Sequence, residues 1–154
     1  MRFLCDEMLV HLARLLRAAG YDTYLASNAE PDSELVKLAR REGRILVTRD
    51  KRLAAAAEES VLVSGFGTEA EARSLTRQLV MDWDFAPFTR CVMDNAHLRE
   101  ATDEERARMP QKARDMGGPH MACPACGRLY WPGSHVKRMT AKLAGLSAPP
   151  SPQA

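Results

Sequence analysis

Met1-Arg-Phe-Leu-Cys-Asp-Glu-Met8 runs three apolar residues, Phe3, Leu4 and Cys5, straight into the carboxylates Asp6 and Glu7. A second apolar run, Ile45-Leu-Val47, ends in Thr48-Arg-Asp50. Short runs of this kind read as buried strands. Open parallel sheets bind ligands outside the carboxyl ends of their strands. If the two strands are neighbours, Asp6 and Asp50 face one crevice. Paired carboxylates there make a hard-oxygen site for Mg or Mn. Strand-end acids have no capping duty that requires both, which strengthens their claim to a metal.

Outward from this stretch, Leu9, Leu12, Leu15, Leu16 and Ala19 recur at helical spacing, with Arg14 and Arg17 off that face. Gly20 closes the helix, and 21–25 reads as a short strand. A strand, a helix and a strand joined by short turns imply a parallel sheet. Asp32 or Ser33 is expected to cap a helix carrying Leu35, Val36, Leu38 and Ala39, ended by Gly43. Strand 44–48, an alanine-rich helix over 52–59 and strand 61–63 follow. A last helix starts at Thr68, which forms a capping box with Glu71. The order βαβαβαβα predicts an α/β three-layer sandwich with a parallel sheet. The composition shifts at 82–87, which divides the chain into a domain at 1–82 and a smaller module at 83–146. The proline-rich stretch 147–154 is expected to be disordered.

The 154 residues carry a net charge of only +2, but it is unevenly spread. Residues 1–85 hold 12 Lys/Arg and 14 Asp/Glu, whereas 86–154 hold 10 and 6. An acidic half beside a basic half fits a metal-binding core with an arm for a polyanion; chance asymmetry is the plain alternative. No stretch approaches the ~20 apolar residues of a membrane span, and no signal-peptide pattern is present. A cytoplasmic protein without membrane attachment is expected, with its cysteines as thiols or metal ligands. Nothing in the sequence fixes an oligomeric state.

Further candidates surround the two strand-end acids. Asp32 and Glu34 begin the second helix on the same side of the sheet, so three or four carboxylates are available for one or two ions. Asp32 as a helix cap is the competing reading. Arg49 and Lys51 flank Asp50, placed to contact phosphate or to tune the acid.

Cys123-Pro-Ala-Cys126-Gly127 is half of a zinc knuckle, and a closed structural site needs four ligands. The partner segment is Cys91-Val-Met-Asp94. Asp94 leads for the fourth position; His97 or His120 taking it, or a site that has lost its zinc, are the alternatives. Cys5, inside a strand, reads as a small buried hydrophobe. Arg128, Tyr130, Trp131, His135, Lys137, Arg138 and Lys142 mix cations with aromatics, a composition suited to single-stranded RNA. Packing of Tyr130 and Trp131 within the module is the competing reading.

Phe-Leu-Cys-Asp-Glu-Met-Leu (3–9), Leu-Leu-Arg-Ala-Ala-Gly-Tyr-Asp-Thr (15–23), Asp-Ser-Glu-Leu (32–35) and Gly-Arg-Ile-Leu-Val-Thr-Arg-Asp (43–50) resemble the Mut-seven C-terminal RNase family. So do Phe88-Thr-Arg-Cys91 and Cys-Pro-Ala-Cys-Gly-Arg-Leu-Tyr-Trp-Pro-Gly-Ser-His (123–135). That family is a PIN-like nuclease domain followed by a small zinc ribbon. The resemblance implies a metal-dependent ribonuclease that hydrolyses RNA phosphodiester bonds, with catalytic acids at Asp6, Asp50 and Asp32 or Glu34, and Mg or Mn at Asp6 and Asp50. It implies a structural zinc at Cys91, Asp94, Cys123 and Cys126. RNA contacts are expected from Arg49, Lys51, Arg128, His135 and Arg138. Two departures stand out: Asp94 replaces the usual cysteine, and Val61-Leu-Val-Ser-Gly-Phe-Gly67 lacks the acid common after the fourth strand. An alternative is therefore a non-catalytic RNA-binding or ribosome-associated module with a degenerate PIN-like site. A toxin of a toxin–antitoxin pair is a third class.

Overall fold

The computed structural model describes residues 1–148. Of the stretch 147–154, Ser147 ends a helix rather than starting a disordered tail, and residues 149–154 lie outside the described residues. The first half alternates β1 (Arg2–Cys5), a 3-10 turn (Glu7–Leu9), α1 (Val10–Ala18), β2 (Asp22–Leu25), α2 (Asp32–Glu42), β3 (Ile45–Thr48), α3 (Lys51–Ala56), β4 (Ser60–Leu62) and α4 (Thr68–Gln78). The four strands pair in parallel in the order β2-β1-β3-β4. Phe3 lies opposite Ile45 and Cys5 opposite Val47. Successive connections leave β1 toward β2 and return past it to β3, so β1 and β3 flank the topological switch point.

Strand side chains alternate between faces. Phe3, Cys5, Val47 and Val61 join a core with Leu12, Leu16 and Leu75 from α1 and α4. Leu4 and Leu46 point the other way, to Leu35, Ala39 and Leu53 of α2 and α3. Both faces are therefore covered, which explains why the strands read as unbroken apolar runs. Leu4, Leu12, Leu16 and Leu46 are wholly buried, and each such burial contributes roughly 1.5–3 kcal/mol.

Three local expectations are corrected. Arg17 does not lie off the buried face of α1; it is 5% exposed, and its guanidinium donates to backbone carbonyls rather than to water. Neither Asp32 nor Ser33 caps α2, whose N-cap position is Pro31. Nor do Thr68 and Glu71 form a capping box, because Gly67 holds the N-cap position of α4.

The stretch after α4 is packed rather than a loose linker. Trp83 is buried and its indole N–H donates to Thr76 Oγ1 at 3.0 Å. Tyr21 donates to the Asp82 carbonyl at 2.9 Å and stacks on Phe85, centroids 5.1 Å apart. Gly20, at φ +99°, lets the Ala86 backbone pass where any Cβ would collide with it.

Next come β5 (Arg99–Glu100), α5 (Asp103–Ala107), α6 (Gln111–Asp115), β6 (Met121–Ala122), β7 (Leu129–Tyr130) and α7 (Ser134–Ser147). β5, β6 and β7 form an antiparallel sheet over a small core of Ala101, Met109, Ala113 and Ala122. α7 returns to α1 and α4, and its Leu143 and Leu146 enter the core that also holds Leu12 and Leu75. Residues on both sides of position 82 thus share one apolar interior. Among the described residues no helix is long and apolar enough to cross a membrane.

Candidate functional site

Asp6 and Asp50 sit where the chain leaves β1 and β3, the neighbouring strands at the switch point. One buried side chain joins them. Thr48 donates its hydroxyl proton to Asp6 Oδ2 at 2.9 Å and accepts the Asp50 backbone N–H at 2.9 Å. Thr48 is wholly buried at the end of β3. The sequence reading passed over it because threonine carries no charge; a hydroxyl at a strand end between two acids was the available signal.

Both acids do have capping duties, contrary to expectation. Asp6 Oδ1 accepts the Glu7 N–H at 2.8 Å at the start of the 3-10 turn. Asp50 Oδ1 accepts the N–H groups of Arg52 and Leu53, at 2.7 and 3.3 Å, and caps α3. The caps fix where these carboxylates point. Asp50 Oδ2 has no hydrogen bond among those found in the described residues. Asp32 and Glu34 occupy the first turn of α2, both exposed, and Glu34 pairs with Lys37 at 2.9 Å. Among the described residues the acids of this edge do not gather into a group of three or more ligand atoms; Cys91, Asp94, Cys123 and Cys126 do.

Arg49 is held by Glu71, its Nη1 2.8 Å from Glu71 Oε1 and 3.0 Å from the Gly65 carbonyl. Glu71 is 8% exposed. It is an acid beyond β4, in the first turn of α4, but its charge is already matched by Arg49. Lys51 is exposed beside Asp50.

The second donor set is closed. One ligand atom each from Cys91, Asp94, Cys123 and Cys126 lies within 4.8 Å of the others. Cys91 and Cys126 sulfurs are 3.7 Å apart, close to the ~3.8 Å edge that a tetrahedron of ~2.3 Å Zn–S bonds requires. The Cys123 sulfur is 3.3 and 3.2 Å from the two Asp94 oxygens. Burial opposes a charge on Asp94, but the Ala96 N–H and the three thiols hold its carboxyl below the usual range. The Arg128 amide favours a Cys126 thiolate, yet burial, Asp94, Cys123 and Cys91 push that thiol up to about 12. Several acidic donors crowded together call for a cation, and three thiols with one carboxylate suit zinc.

Two matching turns build this cluster. In one, Asn95 N–H donates to the Cys91 carbonyl at 2.9 Å; in the other, Gly127 N–H donates to the Cys123 carbonyl at 2.9 Å. Asn95 (φ 71°) and Gly127 (φ 75°) both adopt the left-handed conformation, which Gly and Asn tolerate best. Cys91-x-x-Asp94-Asn95 is therefore the same knuckle as Cys123-x-x-Cys126-Gly127. The histidine alternatives for the fourth ligand do not apply. His97 faces Arg90 at 3.1 Å and His120 faces the Ala113 carbonyl at 2.9 Å.

Buried polar contacts tie the cluster to the sheet domain. Tyr130 accepts the Val92 N–H at 3.1 Å, leaving its own proton for the Cys91 sulfur, also at 3.1 Å. A donor to a ligating sulfur steadies a thiolate. Arg17 donates to the carbonyls of Thr23, Val92 and Met93, at 2.9, 3.1 and 2.9 Å. Asn95 accepts the Thr23 N–H at 2.9 Å and donates to Asp22 at 2.7 Å. Tyr130 is thus a packing residue and not an exposed stacking platform, while Arg128, His135 and Arg138 are exposed. Cys5 is fully buried, and burial pushes its thiol up to about 12, as an inert core residue requires.

No solved structure matches this chain. A 47-residue stretch, 30% of the chain, is 45% identical to the exonuclease mut-7 homolog of Homo sapiens, and the match covers only 5% of that protein. The family model of the Mut7-C RNAse domain matches residues 1–143. That match takes in both the strand-end acids and the thiol cluster, and the chain belongs to the Mut7-C RNAse domain family.

Proposed function

We propose that this chain is a metal-dependent ribonuclease of PIN-like architecture, with Asp6 and Asp50 holding Mg or Mn at the β1/β3 switch point. The observation that carries this reading is the Thr48 hydroxyl, which links Asp6 to Asp50 at the carboxyl ends of adjacent parallel strands. Membership of an RNAse domain family supports RNA as the substrate. Mg keeps much of its water and is commonly held by one or two carboxylates together with substrate phosphate. Two acids with an unengaged oxygen on Asp50 suit that habit. The ion would supply an activated water and charge stabilisation for the leaving oxygen of the phosphodiester.

Each residue has a role in this reading. Asp6 and Asp50 orient the ion, and Thr48 fixes their spacing. Asp32 or Glu34 supplies a further carboxylate from α2. Lys51 offers a cation to the substrate phosphate, whereas Arg49 reaches it only by leaving Glu71. The cysteine cluster would hold a structural zinc that keeps the 83–146 module in shape and takes no part in cleavage. Reduced thiols of this kind fit a reducing compartment such as the cytoplasm.

The alternative of a non-catalytic RNA-binding module draws on one observation, the failure of the edge acids to gather as a ligand group of three. Cleavage of labelled single-stranded RNA separates the two. The enzyme reading expects products with Mg or Mn, none when these ions are omitted, and none from Asp50→Asn, whose amide oxygen still caps α3. RNA bound without any product would establish the binding module instead.

A further inference from the structure

A groove of about 800 Å³ lies between α1, α4 and α7. Its charge is one-sided. His11, Arg14, His135, Arg138 and Lys142 line it against one acid, Glu69, and Glu69 is engaged by Arg73 at 3.0 Å. Among the described residues Arg14, Arg138 and Lys142 form no salt bridge. Phe66 also lines the groove, and its side chain is fully exposed in the Gly65-Phe66-Gly67 loop. Leaving a phenylalanine in water forgoes roughly 1.5–3 kcal/mol of burial, so its position asks for a partner.

The groove adjoins the acid edge at both walls. Arg49, next to Asp50 in sequence, donates to the Gly65 carbonyl at 3.0 Å and so anchors the Phe66 loop to the end of β3. On the other wall, His11 sits in the first turn of α1, which follows Asp6 and the 3-10 turn. Clustered cations around an exposed aromatic ring match single-stranded RNA, whose phosphates need counter-charge and whose unpaired bases offer a π-face. A duplex keeps its bases stacked and has no use for the ring.

We infer that this groove is the track on which single-stranded RNA is held beside the Asp6–Asp50 edge, with Phe66 stacking on a base and Arg14, Arg138 and Lys142 contacting phosphates. The inference rests on the ribonuclease reading for what the strand is doing there, but its test needs no cleavage.

Fluorescence anisotropy of labelled oligouridine, with the zinc-loaded full chain and no added Mg or Mn, reads binding alone across a salt series. Phe66→Ala weakens binding about tenfold. The double variant Arg138→Gln/Lys142→Gln weakens it further and lowers the slope of log affinity against log salt by about 1.4, roughly 0.7 per lost phosphate contact. An RNA duplex of equal length competes poorly. All three substituted side chains are exposed, so circular dichroism and melting stay at wild-type values. Unchanged affinity and slope in both variants, or preference for the duplex, overturns the inference. So does a concentration-dependent doubling of mass that Phe66→Ala abolishes in a protein that binds no RNA, which would give the face to a second copy of the chain. RNA binding lost in the variants, with no cleavage by any form, supports the track and removes only the enzyme reading.

Discussion

The strand-end acids, which we propose as the catalytic metal site, and the cysteine cluster are built in opposite ways. Around the cysteines, four donor atoms are already within 4.8 Å of one another, placed by two matching turns and steadied by Tyr130, Arg17 and Asn95. At the acid edge, Asp6 and Asp50 share a threonine, double as caps, and among the described residues leave one carboxylate oxygen unengaged. The first arrangement suits an ion that stays. The second suits an ion that keeps water and shares substrate oxygens, as a catalytic site needs an open position.

Breaking the closed site is expected to have the largest effect. Cys123→Ser removes a buried ligand and abolishes stoichiometric zinc by elemental analysis. A structural zinc contributes folding energy directly, so a fall in the melting temperature of about 10 °C or more is expected; that corresponds to a loss of roughly 4 kcal/mol in a chain of this size. A zinc-free variant that melts like wild type would deny the cluster its structural role.

Arg17→Met comes next. It removes the donor that serves the Thr23, Val92 and Met93 carbonyls, at a cost of about 3 kcal/mol in chemical denaturation. It also speeds zinc loss to a chelator, because the Cys91 turn loses its tie to α1. Asp94→Cys acts in the other direction. A fourth thiolate in place of the carboxylate is not needed for folding, so melting of the loaded protein is unchanged, while a colorimetric chelator withdraws zinc more slowly. Faster withdrawal would mean that the carboxylate is the better ligand here.

The smallest effect is acid sensitivity at the tie between the regions. Burial works against the Asp22 carboxylate, but Arg44 and Asn95 hold its pKa below the ordinary value of 3.8. A depressed folded pKa gives stability that is fully present above the unfolded value and lost as pH falls through the folded one. Asp22→Asn should therefore lower stability near pH 7 and flatten its decline below about pH 4. Equal acid slopes in the two proteins would show that the tie carries no charge-dependent stability.

The two regions were unequally legible in the sequence. The parallel sheet followed from a strand, a helix and a strand joined by short turns over the first 25 residues, and the strands Phe3-Leu-Cys5 and Ile45-Leu-Val47 were visible because burial on both faces shows as short apolar runs. Asp94 was legible because Cys91-x-x-Asp94 repeats the spacing of Cys123-x-x-Cys126. Asn95 escaped notice, since its left-handed backbone carries no mark in the sequence beyond its match to Gly127. Arg17 was misplaced because a helical stripe marks what is buried by apolarity, and a buried charge satisfied by distant carbonyls breaks that rule. Glu71 read as a local cap, but its partner Arg49 is remote in sequence. The same limit hid Thr48, whose importance arises only when Asp6 is brought against it by the sheet.

The central claim is that the acid edge is catalytic while the cysteine cluster is structural. The most direct measurement is RNA cleavage by Asp6→Asn, with zinc content and melting temperature read on the same sample. The one amide oxygen of the asparagine still accepts the Glu7 N–H of the cap, while its NH2 replaces the oxygen that accepts from Thr48; omission of Mg and Mn, rather than chelation, keeps zinc in place. The account predicts metal-dependent products from wild type, none from Asp6→Asn, and full zinc in both, with melting temperatures within about 4 °C of each other, the loss of one hydrogen bond. Undiminished cleavage by Asp6→Asn, or products from wild type without added divalent ions, would contradict it.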